Sequence, residues 1–438
     1  GFEALAGLAL RLRRLGRIDK GLTEDGEDGL LSPENELKEA RVRKGDAQEI
    51  RRLNRRAILA HLRRGPLTRA DLSRLTGLAK SAVSRLVDEL LKEGLLEEGT
   101  LTSPPLGRPG TLLHLRPGAR FALGAEIGVE GTVLLALDWR GEVLWAREWA
   151  HPKEAGPEER FARLLQEALP QAHGALGLGF TLPGVVVGNK LLYAPNLGWR
   201  DLDLNPYLAS FPLPALAEND AKASALSEVF FHGEENLAYL VLSTGLGVGV
   251  VSEGRLLRGT NGAAGEVGHW LGPEERPCAC GRKGCLETEL GLGALLRHHR
   301  ALGGEAEGLE ALLAKAQAGN PSAQAALAHL GEHLGKFLAN LAVAYDPARV
   351  VVGGKAAELF PFLEAPLRRA LAEHAFLETH RALPVQPSSY GHLAAAVGGA
   401  SLFLARFFEL GGLWAESPRR NGGRYEEVAL GTRHGLGA

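Results

Sequence analysis

The chain has 438 residues, of which 45% are hydrophobic and 23% charged, with a formal net charge of −2. That length suits two or three domains with real cores. No apolar run reaches ~18 residues and the opening GFEALAGLALRLRRLG lacks the order of a signal peptide, so a cytoplasmic protein without a membrane span is expected. The charge is unevenly spread. Residues 46–118 hold 13 Lys and Arg against 8 Asp and Glu, a surplus of five, which leaves −7 for the remainder of the −2 total. A basic module on an acidic body is the footprint of a DNA-binding appendage.

Residues 1–45 mix a basic Leu/Arg run with the acidic, Gly-rich TEDGEDG and show at most a short helix. Met is absent from the whole chain. This segment reads as a poorly structured extension, either a flexible arm or sequence preceding a natural start at Val42 from a non-AUG codon.

From Gln48 the pattern turns helical, with Ile50, Leu53, Ile58, Leu59 and Leu62 as an apolar stripe among arginines, ending at Gly65-Pro66. Thr68 begins a second helix as its cap, with Asp71 placed to complete a capping box and Ala70, Leu72 and Leu75 as its apolar members. Thr76-Gly77-Leu78 supplies the turn. A third helix runs from about Lys80 to Lys92, stopped by Gly94, with Val83, Leu86, Val87, Leu90 and Leu91 facing inward. This is a helix-turn-helix whose third helix offers Lys80, Ser81, Ser84 and Arg85 to a major groove. Two short apolar strands follow around the Pro-rich tip that carries Arg108, which makes the module winged and places a cation suited to a minor groove. The boundaries of this DNA-binding domain are set at 46–118.

Strands LGAEIGV, TVLLALDW and EVLWAREW follow, then a helix around Glu158–Leu169; strand and helix patterns alternate to about residue 410. The runs ALGLGF, AYLVLS and RVVVGG are continuous apolar strands, so the body is α/β with buried sheets. Two lobes are expected at 119–217 and 218–410, and 411–438 has the composition of a flexible tail.

All three cysteines, Cys278, Cys280 and Cys285, lie within eight positions, with His269 a short loop upstream. Three thiolates and an imidazole form a closed tetrahedral set, which points to structural rather than catalytic zinc. Such spacing also fits a reducing compartment better than a disulfide framework. The text GEVGH followed by CACGRKGCLE resembles the ROK family of sugar kinases and sugar-responsive repressors. The resemblance covers about residues 46–408 and implies an actin-like fold of two α/β lobes with a sugar-binding cleft, preceded here by the winged helix-turn-helix.

Three further pieces fit that cleft: Leu182-Pro183-Gly184, the loop around Asn196, and Asn219-Asp220 at a strand-to-helix junction. Amides, carboxylates and an imidazole suit a polyhydroxylated ligand, whose hydroxyls both donate and accept. By resemblance, the sugar contacts are Gly184, Asn196, Asn219, Asp220, Glu266, His269 and Glu287. The family's kinases would use Asp220 as general base. Read without the family, Asn219-Asp220 is a helix cap. His269 serves twice, as metal ligand and as sugar contact, through different ring nitrogens.

The family's kinases hold ATP with an Asp-x-Gly-Gly-Thr run, where this chain has Glu126-Ile127-Gly128-Val129-Glu130. A second loop survives as Ser243-Thr244-Gly245-Leu246-Gly247, with Thr244, Gly245 and Gly247 able to cradle a nucleotide phosphate above a floor at Gly353-Gly354. The lost first loop counts against ATP and Mg²⁺, though not against sugar. The expectation is a sugar-responsive repressor binding operator DNA as a homodimer or dimer of dimers; the alternative is a glucokinase-like sugar kinase with a fused DNA-binding domain.

Overall fold

The computed structural model describes residues 33–101, 110–152 and 154–409. The readings for Arg108, for residues 1–32 and for the tail beyond 409 lie outside these residues. The first described helix, α1 (Pro33–Arg63), begins upstream of Asp46, the boundary read from sequence. A tight turn leads to strand β1 (Leu67–Thr68), α2 (Arg69–Thr76) and α3 (Lys80–Lys92). Thr68 and Asp71 form the expected capping box, and Gly77 closes α2 in the left-handed region at φ 72°. Strands β2 (Leu96–Leu101) and β3 (Thr111–Leu115) pair antiparallel, with β1 on the far side of β3. This is a winged helix.

Its core differs from the expected stripe in two ways. Ile50 is 55% exposed, whereas Arg55 is fully buried. The guanidinium makes a bidentate pair with Glu93, at 2.8 and 2.6 Å, which supplies the partner a buried cation requires. In α2 only Leu72 is buried; Ala70 and Leu75 are exposed, because this short helix turns a single residue to the core. In α3, Val83, Leu86, Val87 and Leu90 are buried as read, and Leu91 is half-buried.

The body is built on two five-stranded sheets. The first runs in the order β11-β7-β4-β5-β6, from β4 (Phe121–Ile127), β5 (Gly131–Asp138), β6 (Val143–Ala150), β7 (Leu178–Leu182) and β11 (Ala215–Asn219). Helix α4 (Pro157–Ala168) contributes Phe161 and Leu164 to the core with this sheet. A small ribbon of β8 (Val185–Val187), β9 (Lys190–Ala194) and β10 (Trp199–Asp203) stands at the sheet's end. Helix α5 (Asn205–Ser210) precedes β11, and α6 (Asp220–His232) follows it.

The second sheet has the order β14-β13-β12-β15-β16, from β12 (Leu237–Leu242), β13 (Leu246–Ser252), β14 (Arg255–Leu256), β15 (Arg349–Gly353) and β16 (Val385–Pro387). After the cysteine loop come α7 (Glu287–Leu290), α8 (Leu292–Ala301), α9 (Leu309–Gln317), the long α10 (Pro321–Tyr345) and α11 (Ala356–His374), then the short α12 (Glu378–Arg381).

The last helix, α13 (Ala394–Glu409), departs from the sequence reading, which placed it in the second lobe. It returns to the first sheet. A Cβ at Gly124 of β4 would sit 1.9 Å from the Ala396 carbonyl, and one at Gly179 of β7 would sit 1.9 Å from that of Gly399. Small residues on both partners therefore bring helix and strand into backbone contact. The stretch Gly391–Glu409 is long and apolar enough to cross a membrane by length and composition, with a mean hydropathy of 1.3 in its best window, but 67% of that window is buried. Its apolar side chains are core contacts, as with Val397, Phe403, Leu404 and Phe407.

Candidate functional site

Strand β11 ends at Asn219, whose side chain accepts from the Lys222 amide at 3.0 Å and so caps α6. The cap reading is correct and incomplete. The same side chain donates to the Gly184 carbonyl at 2.9 Å and to Asp220 Oδ1 at 3.0 Å, tying the turn after β7 to the start of α6. Gly184 is required there, with φ 96° and a Cβ position only 2.2 Å from the Tyr193 carbonyl. Asp220 Oδ1 also accepts from the Ala221 amide at 2.7 Å, which fixes the carboxylate over the helix N-terminus.

One cavity collects what the sequence had scattered. Gly184, Asn196, Asn219, Asp220, Glu266, His269 and Glu287 all line it, together with Thr244, Gly245 and Gly247 of the second loop. Burial, followed by the charge of Glu266, raises the Asp220 carboxyl to about 6. Glu266 is also raised, through burial first, with Lys222 opposing the shift.

Sequence reasoning missed Lys222. It is 1% exposed, donates to the Gly262 carbonyl at 2.8 Å and stands 3.9 Å from Glu266. It thus staples the loop that carries Glu266 to the helix that carries Asp220. A lysine flanked by alanines in DAKASA is a usable signal, since small neighbours mark a helix packed on all sides. Glu218 and Arg258, paired at 2.6 Å, belong to the same network.

The cysteine loop sits against the cavity. Donor atoms of His269, Cys278, Cys280 and Cys285 lie within 4.8 Å of one another. Cys280 and Cys285 sulfurs are 3.7 Å apart, and Cys278 Sγ is 3.8 Å from His269 Nδ1. A tetrahedron with metal–sulfur bonds of ~2.3 Å has edges of ~3.8 Å, so the donors stand where a metal ion could be held. His269 Nδ1 faces this cluster, and the same residue lines the cavity. Glu287 joins the two as well, accepting from Cys278 Sγ at 2.8 Å while lining the cavity.

The first loop, after β4, has been rebuilt. Glu126, half-buried at the end of β4, has its carboxyl pushed up to about 8 by desolvation first, then by the charges of Asp220 and Glu148. Val129 lines the cavity where the kinase pattern has glycine. Glu130 pairs at 2.5 Å with Lys355, which follows Gly353-Gly354 directly. The cation beside Gly353-Gly354 is therefore already paired within the chain.

On the basic module, Lys80, Ser81 and Arg85 are exposed and Ser84 is half-buried, all on the first turns of α3. Neither Lys80 nor Arg85 has an ion-pair partner among the described residues. By contrast, Arg69 is held by Asp88 at 2.9 Å and Glu98 at 3.0 Å.

A winged helix on a two-lobed sugar-kinase body, with a polar cleft beside a Cys₃His cluster, defines the class. The chain belongs to the ROK family, which it matches over residues 122–406, and residues 53–102 match the MarR family. It is 28% identical over 383 residues to the xylose repressor of Bacillus spizizenii, covering 83% of this chain and 98% of that protein. Among solved structures, a ROK family transcriptional regulator, a homologue of the E. coli MLC protein, superposes with a TM-score of 0.66 at 26% identity, over 84% of this chain and 98% of its own. A ROK family glucokinase from Streptomyces griseus in complex with glucose and AMPPNP gives a TM-score of 0.60 at 27% identity, over 64% of this chain and 98% of its own.

Proposed function

We propose that this protein is a sugar-responsive transcriptional repressor: the winged helix binds operator DNA and the cleft senses a sugar. The observation that carries this reading is the joint presence, in one chain, of exposed Lys80 and Arg85 on α3 and of Gly184, Asn196, Asn219, Asp220, Glu266, His269 and Glu287 lining one cavity. Gly184, Asn196, Asn219, Asp220, Glu266, His269 and Glu287 are assigned as sugar contacts. His269, Cys278, Cys280 and Cys285 are assigned as ligands of a structural zinc ion, since imidazole and thiolate donors suit zinc and all four positions are filled by protein. The likeness to a xylose repressor makes D-xylose the first effector to test. The repressor acts as a dimer, because two reading helices must reach major grooves ~34 Å apart.

Titrating labelled operator DNA with the protein, with and without sugar, tests the reading. D-xylose or another monosaccharide is expected to lower operator affinity, and a binding curve that no sugar moves would overturn the sensor assignment. Salt slopes give a second check. Lys80→Ala or Arg85→Ala at a phosphate contact weakens binding to all sequences and lowers the slope by ~1, whereas a base contact costs about 1–3 kcal/mol on the preferred site only. Unchanged slopes and unchanged affinities in both variants, and in Arg108→Ala at the wing, would count against the winged-helix interface.

The intact second loop at Thr244–Gly247 and the raised carboxyl of Asp220 favour a kinase reading, with Asp220 as base. The Glu130–Lys355 pair opposes it, since an anion occupies the place of the phosphate-binding threonine. Sugar-dependent ADP release from ATP and Mg²⁺ is therefore expected to stay at background, equal in the native chain and in Asp220→Asn. Release that is abolished by that substitution would establish the kinase instead.

A further inference from the structure

Helix α6 has a sugar-pocket residue at one end and a contact with the winged helix at the other. It spans 13 residues, which at 1.5 Å per residue is ~20 Å. Its first residue is Asp220, and Lys222 in its first turn holds the Glu266 loop. Its last turn holds Phe230 and Phe231, and Gly233 closes it with a left-handed cap at φ 73°. Carbonyls in a last turn have no partner within the helix and carry the negative end of its dipole.

The Phe230 carbonyl accepts from Arg63 Nη1. Arg63 is the last residue of α1, the first helix of the winged module. Its guanidinium lies 4.1 Å from the centroid of the Phe230 ring and 5.6 Å from that of Phe408 on α13. A planar cation between two rings, bonded to a helix end, is a directional contact that lysine does not reproduce. Upstream on the same helix, Leu59 and Leu62 belong to one apolar cluster with Val83, Leu86 and Leu90 of α3.

We propose that Arg63 is the coupling residue, the contact through which the sugar pocket sets the stance of the reading helix. The path is Asp220 and Lys222 at the ligand end of α6, the Phe230 turn at the far end, Arg63, and then α1 against α3. This rests on the reading of the cleft as a sugar sensor and of α3 as the DNA reader. It adds a positioning residue that touches neither ligand. A ligand that draws the Glu266 loop toward Asp220 shifts α6 along its axis, and packed elements pass such shifts on because interiors are nearly incompressible. Burial lowers the Arg63 guanidinium to about 10, which leaves it charged at neutral pH.

The test measures coupling rather than stability. Operator affinity is determined by fluorescence anisotropy with and without D-xylose and, separately, D-glucose, in the full chain and in Arg63→Met, Arg63→Lys and Phe230→Leu. Methionine keeps an unbranched apolar stem and removes the donor and the charge. In the native chain the effective sugar is expected to weaken operator binding at least ~5-fold, the lower range of allosteric coupling. In Arg63→Met the affinity for sugar alone and for operator alone is expected to stay within about twofold of native, while the sugar effect on operator falls to less than half. Arg63→Lys is expected to recover part of it.

If Arg63→Met does not fold, Phe230→Leu carries the test, since it removes the ring beneath the guanidinium and keeps the carbonyl. Native-size coupling in folded Arg63→Met, or in Phe230→Leu when that variant carries the test, overturns the proposal. A native chain whose operator affinity neither sugar changes, although one of them binds, overturns the sensor reading and this proposal with it; failure of both to bind overturns the sugar assignment of the cleft.

Discussion

Replacing Cys280 by serine is expected to strip the Cys₃His cluster of its metal and to produce the largest fall in melting temperature of any single change considered. A serine hydroxyl is not ionised at neutral pH and does not replace a thiolate, so three donors remain where a structural site needs four. Removing an outer partner of a metal ligand already weakens binding ~10–100-fold, and losing a ligand weakens it further. Metal binding that the unfolded chain cannot match is folding free energy, added here to the loop's own backbone bonds such as Cys278 to Arg282 and Gly272 to Gly284. A loss on the order of 4 kcal/mol, the scale reached when a bound metal is removed, lowers the melting temperature by roughly 8–16 °C at ~2–4 °C per kcal/mol. Sugar affinity is expected to fall as well, because His269 belongs to both sites and Glu287, two positions after Cys285, lines the cavity from the end of the same loop. Elemental analysis and thermal melts decide this: zinc at one equivalent in the variant, or none in carefully purified native protein, would refute the assignment.

Asp220→Asn is expected to do the reverse, abolishing the sugar response without lowering stability. Asp220 Oδ1 is taken up by Asn219 and the Ala221 amide, so Oδ2 is left to accept a sugar hydroxyl, whereas an amide nitrogen in its place presents a donor and leaves a buried group unsatisfied. That costs ~1–3 kcal/mol, or about 5–150-fold in sugar affinity. The linkage runs the other way. The folded value of about 6 lies above the ordinary value of ~3.9, so the native state binds this proton more tightly than the unfolded chain does. Ionised Asp220 therefore destabilises the fold, fully above about pH 6, and the penalty is relieved progressively as pH falls from about 6 toward ~3.9. The neutral amide escapes it, and its Oδ1 still accepts from the Ala221 amide. A melting temperature at pH 7.5 equal to or above native, with operator binding retained and sugar binding lost, is the expected outcome. A variant that keeps native sugar affinity would remove Asp220 from the site.

What the sequence made legible follows the range of the interactions concerned. The capping box at Thr68 and Asp71, the turn glycine at Gly77 and the cysteine spacing are local rules, and the structure has them in place. The seven cleft residues were brought together by resemblance, because no periodicity links Gly184 to Glu287, and the structure brings them to one cavity. Long-range pairing stayed hidden. Arg55 looked like a solvated arginine on an apolar helix because its partner, Glu93, is 38 positions away. Lys222 reads as a surface residue until the Gly262 carbonyl arrives from another loop. Helix α13 looked like the end of the second lobe because chain order does not encode a return to the first sheet; only its run of Ala and Gly hints at so close a contact.

The winged module and the first lobe share a single apolar core. Leu59, Leu86 and Leu90 belong to the same cluster as Trp139, Phe403 and Phe407, and the Trp139 indole donates across the connector to the Arg116 carbonyl at 2.9 Å. The head is thus not a bead on a string. A hybrid regulator made by exchanging heads near residue 118 would inherit a mismatched seam, with Trp139 and the end of α13 facing side chains selected for another body. Retargeting this protein to a new operator is better done by altering Lys80, Ser81, Ser84 and Arg85 in place than by transplanting a whole module, since those positions lie on α3 outside the shared core.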